Sequence, residues 1–268
     1  MRIALAQILS TADPQQNLMQ VQAKAAAAAA EGAQLVVFPE ATMCRFGVRL
    51  DTIAEMTDGP WATAVKQIAR AHNITIIAGM FTPAADGRVN NTLLATGPSG
   101  DATYDKIHLY DAFDYFESYK VNPGIEPTVV HINGVAVGLA TCYDIRFPTL
   151  FQELALRGAE LIVVSASWAS GPGKQEQWEI LAQARALDSA TFIAACDQAD
   201  PATVGMVSDG TPNGVGASLV VGPLGTTVAS LDGAPGLLIT DIDLDEVPVA
   251  RNATGVLVNR RDFALAPY

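Results

Sequence analysis

Short apolar, β-prone runs alternate with helix-like stretches along this chain, and that alternation constrains its fold more tightly than any other feature. The runs lie at 35–38, 74–78, 135–141, 160–165 and 191–196. Asp13-Pro14 supplies an N-cap followed by proline at the first helical position, opening a helix that runs through the alanines of 25–30 to Glu31-Gly32. Asp58-Gly59-Pro60 opens a second helix over 60–72, and further helices are predicted over 148–157 and 175–189. The pattern is α/β.

Additional strands are predicted at 2–8, and at 91–96 and 103–106 across the turn Gly97-Pro98-Ser99-Gly100, an antiparallel excursion. Asn133-Gly134 marks a tight hairpin between 127–132 and 135–141. Late strands near 217–221, 226–230 and 237–243 complete the inventory. The sheet is therefore expected to be mixed. Periodicity alone leaves open whether helices cover two stacked sheets or one doubly wound sheet.

With 268 residues, 50% of them hydrophobic, and no composition break, a single domain over 1–268 is expected. A formal charge of -12 with only 16 Lys and Arg argues against a nucleic-acid surface. The apolar start is too short for a signal peptide and no run is long enough to span a membrane, so no membrane partner and a cytoplasmic location are expected. Three cysteines without CxxC spacing indicate neither a disulfide framework nor a zinc site.

Cys142 closes the apolar run 135–141, and a helix-like pattern follows almost at once. The thiol is thus expected on a strand-to-helix turn beside a helix N-terminus, a position that lowers its pKa and exposes it. The competing reading, a buried structural thiol, suits Cys196 within its apolar run, and Cys44. Glu40 closes Leu35-Val36-Val37-Phe38-Pro39-Glu40, where a solvated charge would be out of place. Lys106 follows Ala102-Thr103-Tyr104-Asp105; lysines at strand ends are mostly exposed and inert. Together the three residue types can perform acyl transfer: a carboxylate to accept the thiol proton, a thiolate to attack, an ammonium to face the oxyanion.

In order along the chain, Ala4-Leu5-Ala6-Gln7, Phe38-Pro39-Glu40, Tyr104-Asp105-Lys106-Ile107-His108-Leu109, Cys142-Tyr143-Asp144-Ile145-Arg146-Phe147-Pro148 and Arg260-Arg261-Asp262-Phe263 resemble the carbon-nitrogen hydrolase, or nitrilase, superfamily. The resemblance implies Glu40, Lys106 and Cys142 as a catalytic triad, with the Lys106 ammonium and the backbone N–H of Tyr143 as the oxyanion hole. It further implies Glu117 as a second glutamate that orients Lys106; the competing reading has Asp111, Asp114 and Glu117 simply solvating one loop. His108 is read as structural. The implied fold is an αββα sandwich with mixed sheets, extended on pairing to a four-layer αββααββα homodimer or higher homo-oligomer.

Arg146 stands four residues after Cys142, close enough to reach a substrate carboxylate while the thiol attacks the far amide. A salt bridge to Asp144 or Glu153 is the competing reading. Trp168, after the strand at 160–165, is expected as a pocket wall, whereas Arg185 and Asp188 are read as a structural ion pair. The run from Cys142 to Pro148 resembles the branch holding ω-amidases and deaminated-glutathione amidases, which act on small 2-oxo acids carrying an amide. The expected partner is accordingly a small-molecule amide.

Three alternatives stand beside this reading. True nitrilases typically carry Trp-Glu where Tyr143-Asp144 stands, and N-carbamoyl amide hydrolases paired arginines where Ile145-Arg146 stands. A non-catalytic interaction subunit is the alternative from another class. Gly171-Pro172-Gly173-Lys174 fails as a phosphate loop, because Trp168 occupies the first glycine position and Gln175 the magnesium-binding one. His72, His108 and His131 have no metal-ligand spacing, so neither metal nor cofactor is expected.

Overall fold

The computed structural model describes residues 1–112, 115–206 and 211–261; Asp114, Asp262 and Phe263 lie outside them. β1 (Arg2–Gln7) leads into α1 (Pro14–Ala30), whose first turn is capped by Asp13 Oδ1 accepting from Gln15 N at 2.8 Å. β2 (Leu35–Val37), α2 (Pro60–His72), β3 (Thr75–Pro83), β4 (Val89–Gly97) and β5 (Gly100–Asp105) follow. A small hairpin of β6 (Asp111–Ala112) and β7 (Tyr115–Phe116) precedes β8 (Val121–Asn122), which pairs with β4.

β9 (Val129–Ile132) and β10 (Val135–Thr141) form the hairpin expected at Asn133-Gly134. Those two residues sit at φ 51° and 86°, the left-handed pair that a two-residue hairpin turn requires. α3 (Pro148–Leu156), β11 (Leu161–Ala166), α4 (Lys174–Ser189) and β12 (Phe192–Asp197) repeat the alternation. β13 (Leu219–Val221), β14 (Thr227–Ser230), β15 (Gly236–Asp241) and α5 (Glu246–Thr254) complete the described elements.

There are two stacked sheets, which resolves the choice that periodicity left open. One has the order β15-β1-β2-β3-β4-β5 with β8 beside β4; the other is β14-β13-β12-β11-β10-β9. Strands β1 to β3 are parallel, as are β10 to β12, and antiparallel strands flank both sets, so the sheets are mixed. Side-chain alternation builds the layers. Ile3, Leu5, Leu161 and Val163 point into the core between the sheets, while Ala4 and Ala6 pack in the cluster with Val21 and Ala25 of α1, and Ile162 and Val164 in the cluster with Trp178 and Ala182 of α4. This is the αββα sandwich.

Four of the labelled elements escaped the sequence reading. α5 carries Pro248 in its first turn, where no intrahelical donor is lost, and β6, β7 and β8 are two residues each, too short to show a period.

At the ends of the parallel strands the sheets are tied by polar contacts. Ser165 Oγ donates to Phe38 O at 2.7 Å and Gln198 Nε2 to Glu40 O at 3.0 Å. Cys196 Sγ donates to Val37 O at 3.3 Å. Gly79, on β3, lets the segment after β2 lie directly against the strand: Gly79 N donates to Pro39 O and Met43 N to Gly79 O. A Cβ at Gly79 would meet Ala41 N at 2.7 Å and Glu40 Cα at 2.9 Å. Backbone cannot swing aside as a side-chain tip can, so Gly79→Ala is expected to destabilise the fold by roughly 1–3 kcal/mol. It should displace Glu40 as well, and a wild-type melting temperature in that variant would contradict this account of the close approach.

Candidate active site

Four sequence-distant segments converge at one pocket because each follows the end of a strand in the stacked sheets. Glu40 lies just beyond β2, Lys106 directly beyond β5, Cys142 directly beyond β10, and Ser167 and Trp168 beyond β11. Crevices outside the carboxyl ends of parallel strands are where open α/β sheets present their loops to ligands.

Glu40, Lys106 and Glu117 are each at most 4% exposed. Lys106 Nζ lies 2.9 Å from Glu40 Oε1 and from Glu117 Oε2, and 3.1 Å from Glu117 Oε1. Glu117 also accepts from Tyr110 N at 2.7 Å, so it is a built member of the site and not a loop solvator. Glu40 Oε2 accepts from Ser167 N at 3.0 Å. Burial disfavours the Lys106 ammonium, but the carboxylates of Glu117 and Glu40 outweigh it and hold the group well above its ordinary pKa. Burial raises Glu40, with Lys106 opposing and Glu117 adding to the rise.

Cys142 departs from the expectation of an exposed, acidified thiol. It is 9% exposed, and its pKa is raised well above the ordinary value by burial first and by the charge of Glu40 second, against the pull of Lys106. The turn that follows is a 3-10 segment over Cys142–Arg146 and the α-helix starts only at Pro148, so no helix N-terminus acidifies the sulfur. Cys142 itself sits at φ 46°, a left-handed conformation that costs an L-residue of order 1 kcal/mol or more. Asp144 holds this turn. Its carboxylate accepts from Thr141 N at 2.8 Å, Tyr104 Oη at 2.7 Å and His108 N at 2.9 Å, with His108 Nδ1 2.8 Å away. The same carboxylate therefore ties the Cys142 turn to the segment bearing Lys106, and His108 is structural as expected.

The competing salt bridges for Arg146 are not formed. Asp144 is engaged as above and Glu153 pairs with Arg157 at 2.8 Å. Arg146 Nη2 donates instead to Gln177 Oε1 at 2.9 Å, and its guanidinium carbon lies 5.0 Å from the Trp168 ring centroid and 6.0 Å from that of Tyr143. Trp168 is a pocket wall, fixed by its N–H to Asp197 Oδ1 at 2.8 Å and by Nε1 to Lys174 O at 2.9 Å. Lys174 lines the pocket beside Arg146, with its pKa lowered by burial and then by Arg146. Arg185 pairs with Asp188 at 2.8 Å outside the site.

Sequence reasoning missed Asn91, Ser167, Lys174 and the holding role of Asp144. Asn91 is fully buried, and its Nδ2 reaches Glu40 Oε1 at 2.7 Å and Glu117 Oε1 at 3.3 Å. The polar break Asn90-Asn91-Thr92 within a strand otherwise flanked by apolar residues was the available signal, as was the capping-box spacing Thr141-x-x-Asp144. Cys44 and Cys196 are buried, and no helix among the described residues is long and apolar enough to cross a membrane.

Comparison with known proteins agrees with this geometry. The family model described as carbon-nitrogen hydrolase matches residues 2–252. A Mycobacterium tuberculosis protein described only as a hydrolase is 59% identical over 98% of this chain and 96% of its own length. Deaminated glutathione amidase of Escherichia coli O157:H7 is 33% identical over 97% of each chain. The crystal structure of an amidase from Nesterenkonia sp. superposes with a TM-score of 0.82 at 29% identity, covering 97% of this chain and 93% of that one. A match across almost the whole chain, on a two-sheet frame that brings Glu40, Lys106 and Cys142 to one pocket, leaves one conclusion: the chain belongs to the carbon-nitrogen hydrolase family.

Proposed function

We propose that this protein is an amidase that hydrolyses the amide of a small carboxylated substrate through a thioester on Cys142, releasing ammonia. The observation that carries the reading is the polarity of the pocket: a thiol above a buried Glu40–Lys106–Glu117 cluster at the floor, and Arg146 at the rim with no salt bridge among the described residues. Glu40 takes the Cys142 proton and the sulfur attacks the amide carbon. The oxyanion that forms faces Lys106 Nζ and the N–H of Tyr143, which stands in the first turn of a 3-10 segment and so has no acceptor within it. Glu40 returns the proton to the leaving nitrogen, and ammonia departs. Glu40 then removes a proton from water, whose oxygen attacks the thioester; the C–S bond breaks, the proton on Glu40 passes to sulfur, and the carboxylic acid leaves and ionises.

The raised thiol pKa fits this sequence, because a neutral resting thiol needs a base within the site. Relatives support the substrate class: besides the deaminated glutathione amidase, the chloroplastic omega-amidase of Arabidopsis thaliana is 30% identical over 97% of this chain and 71% of its own length. A solved structure of a glutamate-to-glutamine mutant of the Nesterenkonia amidase shows the Michael addition of acrylamide at that protein's active site cysteine. Arg146 suits a carboxylate because its planar guanidinium offers paired donors and is braced against Trp168. The same reading extends to a homodimer: Ile180 and Leu187 are exposed, seven residues apart on one face of α4, where a second copy would cover them.

Ammonia release from 2-oxoglutaramate, deaminated glutathione, an N-carbamoyl amino acid, a neutral aliphatic amide and a nitrile tests the proposal. A carboxylated amide should be preferred, and Cys142→Ala should abolish turnover. Arg146→Leu should raise KM for that substrate about 10- to 100-fold, the loss expected for a charge-assisted contact, while the neutral amide changes far less. Equal loss on both substrates would refute carboxylate recognition. Because Glu40 must be ionised to act and burial raises its pKa, kcat/KM should climb as pH rises through that value and fall away below it.

A further inference from the structure

We infer that Asn91 is a positioning residue whose side-chain amide, shared between Glu40 and Glu117, holds Glu40 ionised beside the second acid and so sets the pH at which Cys142 becomes active. The inference rests on Glu40 acting as the base.

Two glutamates share a single lysine in a site from which water is largely excluded. With all three ionised, Glu40, Lys106 and Glu117 carry a net charge of one negative unit, and like charges in a buried site drive one carboxylate to take up a proton. Asn91 supplies the donor that opposes this. Its Nδ2 makes the shortest contact to Glu40 Oε1, 2.7 Å, and reaches Glu117 Oε1 at 3.3 Å, so one amide nitrogen faces both acids. Its backbone joins the same cluster, since Asn91 O accepts from Lys106 N at 2.9 Å.

The other end of the amide argues that these contacts are its purpose. Asn91 Oδ1 is buried without a hydrogen-bond partner. An unmet buried acceptor is unfavourable, and rotating the amide to relieve it would turn oxygen toward two carboxylates. The orientation is thus dictated by the acids. The place in the sheet is equally restrictive: Asn91 lies opposite Phe81 on β3, within a run of β4 that is buried on both sides.

Five titratable groups face Glu40 electrostatically. Lys106 favours its ionised form, and Glu117 disfavours it. Cys142, Asp197 and Tyr115 each feel the Glu40 charge, and each would oppose it when ionised. Among the described residues, the side-chain donor to Glu40 apart from Lys106 is the Asn91 amide.

Asn91→Asp tests this directly, because it keeps the shape and removes the amide donors. Once ionised, the new carboxylate raises the proton affinity of Glu40, and Asn91→Leu, which has no donor in any protonation state, gives the same direction without adding an acid. The acid limb of kcat/KM, and the acid limb of Cys142 alkylation by iodoacetamide, should both move up by about one pH unit or more. Asn91→Ser, which keeps one hydroxyl donor, should move them less. Alkylation needs no substrate, so it reads the site even in a variant without turnover, and it serves as the readout from Asn91→Ser if the aspartate variant does not fold. A folded Asn91 variant with the wild-type acid limb overturns the inference. Glu40→Gln separates the two levels: if it leaves the alkylation limb in place, the base assignment fails and the inference with it. If it removes the limb while Asn91→Asp does not shift it, only the role of Asn91 fails.

Discussion

The ammonium of Lys106, buried between Glu40 and Glu117, is the interaction on which the rest of the site depends. A lysine at 2% exposure remains charged only because two carboxylates lie within 3 Å, and each carboxylate in turn relies on the lysine. The three residues come from separate segments, after β2, after β5 and in the 3-10 turn Glu117–Tyr119. Removing Lys106 would leave two carboxylates uncompensated in the interior, a cost of several kcal/mol. That mutual dependence turns three loops into one rigid floor.

The floor is met by a thiol held in an unfavourable backbone conformation. Both Cys142 and Ala41, next to Glu40, adopt left-handed φ values, 46° and 56°, which L-residues keep only where surrounding structure over-determines them. Asp144 does so for the first, binding the turn at Thr141 N and anchoring to Tyr104 and His108. Close packing against Gly79 does so for the second. Strain in the two turns and satisfaction of buried polar groups are thus linked through the same few residues.

Across the pocket the electrostatics reverse. The chain carries a net charge of -12, yet the rim presents Arg146 and Lys174, while the carboxylates of the floor are engaged with Lys106. A substrate with an acid at one end and an amide at the other would have its orientation imposed by this gradient. Net charge is a property of the whole surface; selectivity follows from the few groups that face the ligand.

Lys106, after Ala102-Thr103-Tyr104-Asp105, was legible in the sequence only through the family motif around it, whereas Glu40 and Cys142 were legible because each stands where an apolar run stops at a charge or a thiol. Helix and strand positions were legible for the same local reason, since capping, proline placement and apolar period act over a few residues. The acidity of Cys142 was not, because it depends on burial against Ser167 and on the charge of Glu40, 102 positions away in sequence. Periodicity did not settle the choice between two sheets and one, which the family resemblance supplied, and nothing local revealed the part of Asn91, whose neighbours in β4 say nothing of the carboxylates it faces. By itself the sequence determined which elements form and which residue types end them, through short-range propensity and periodicity. The tertiary structure alone decided which of those ends meet, what they exclude from water and therefore how strongly each holds its proton, because desolvation and Coulomb energy depend on distance in space and not along the chain.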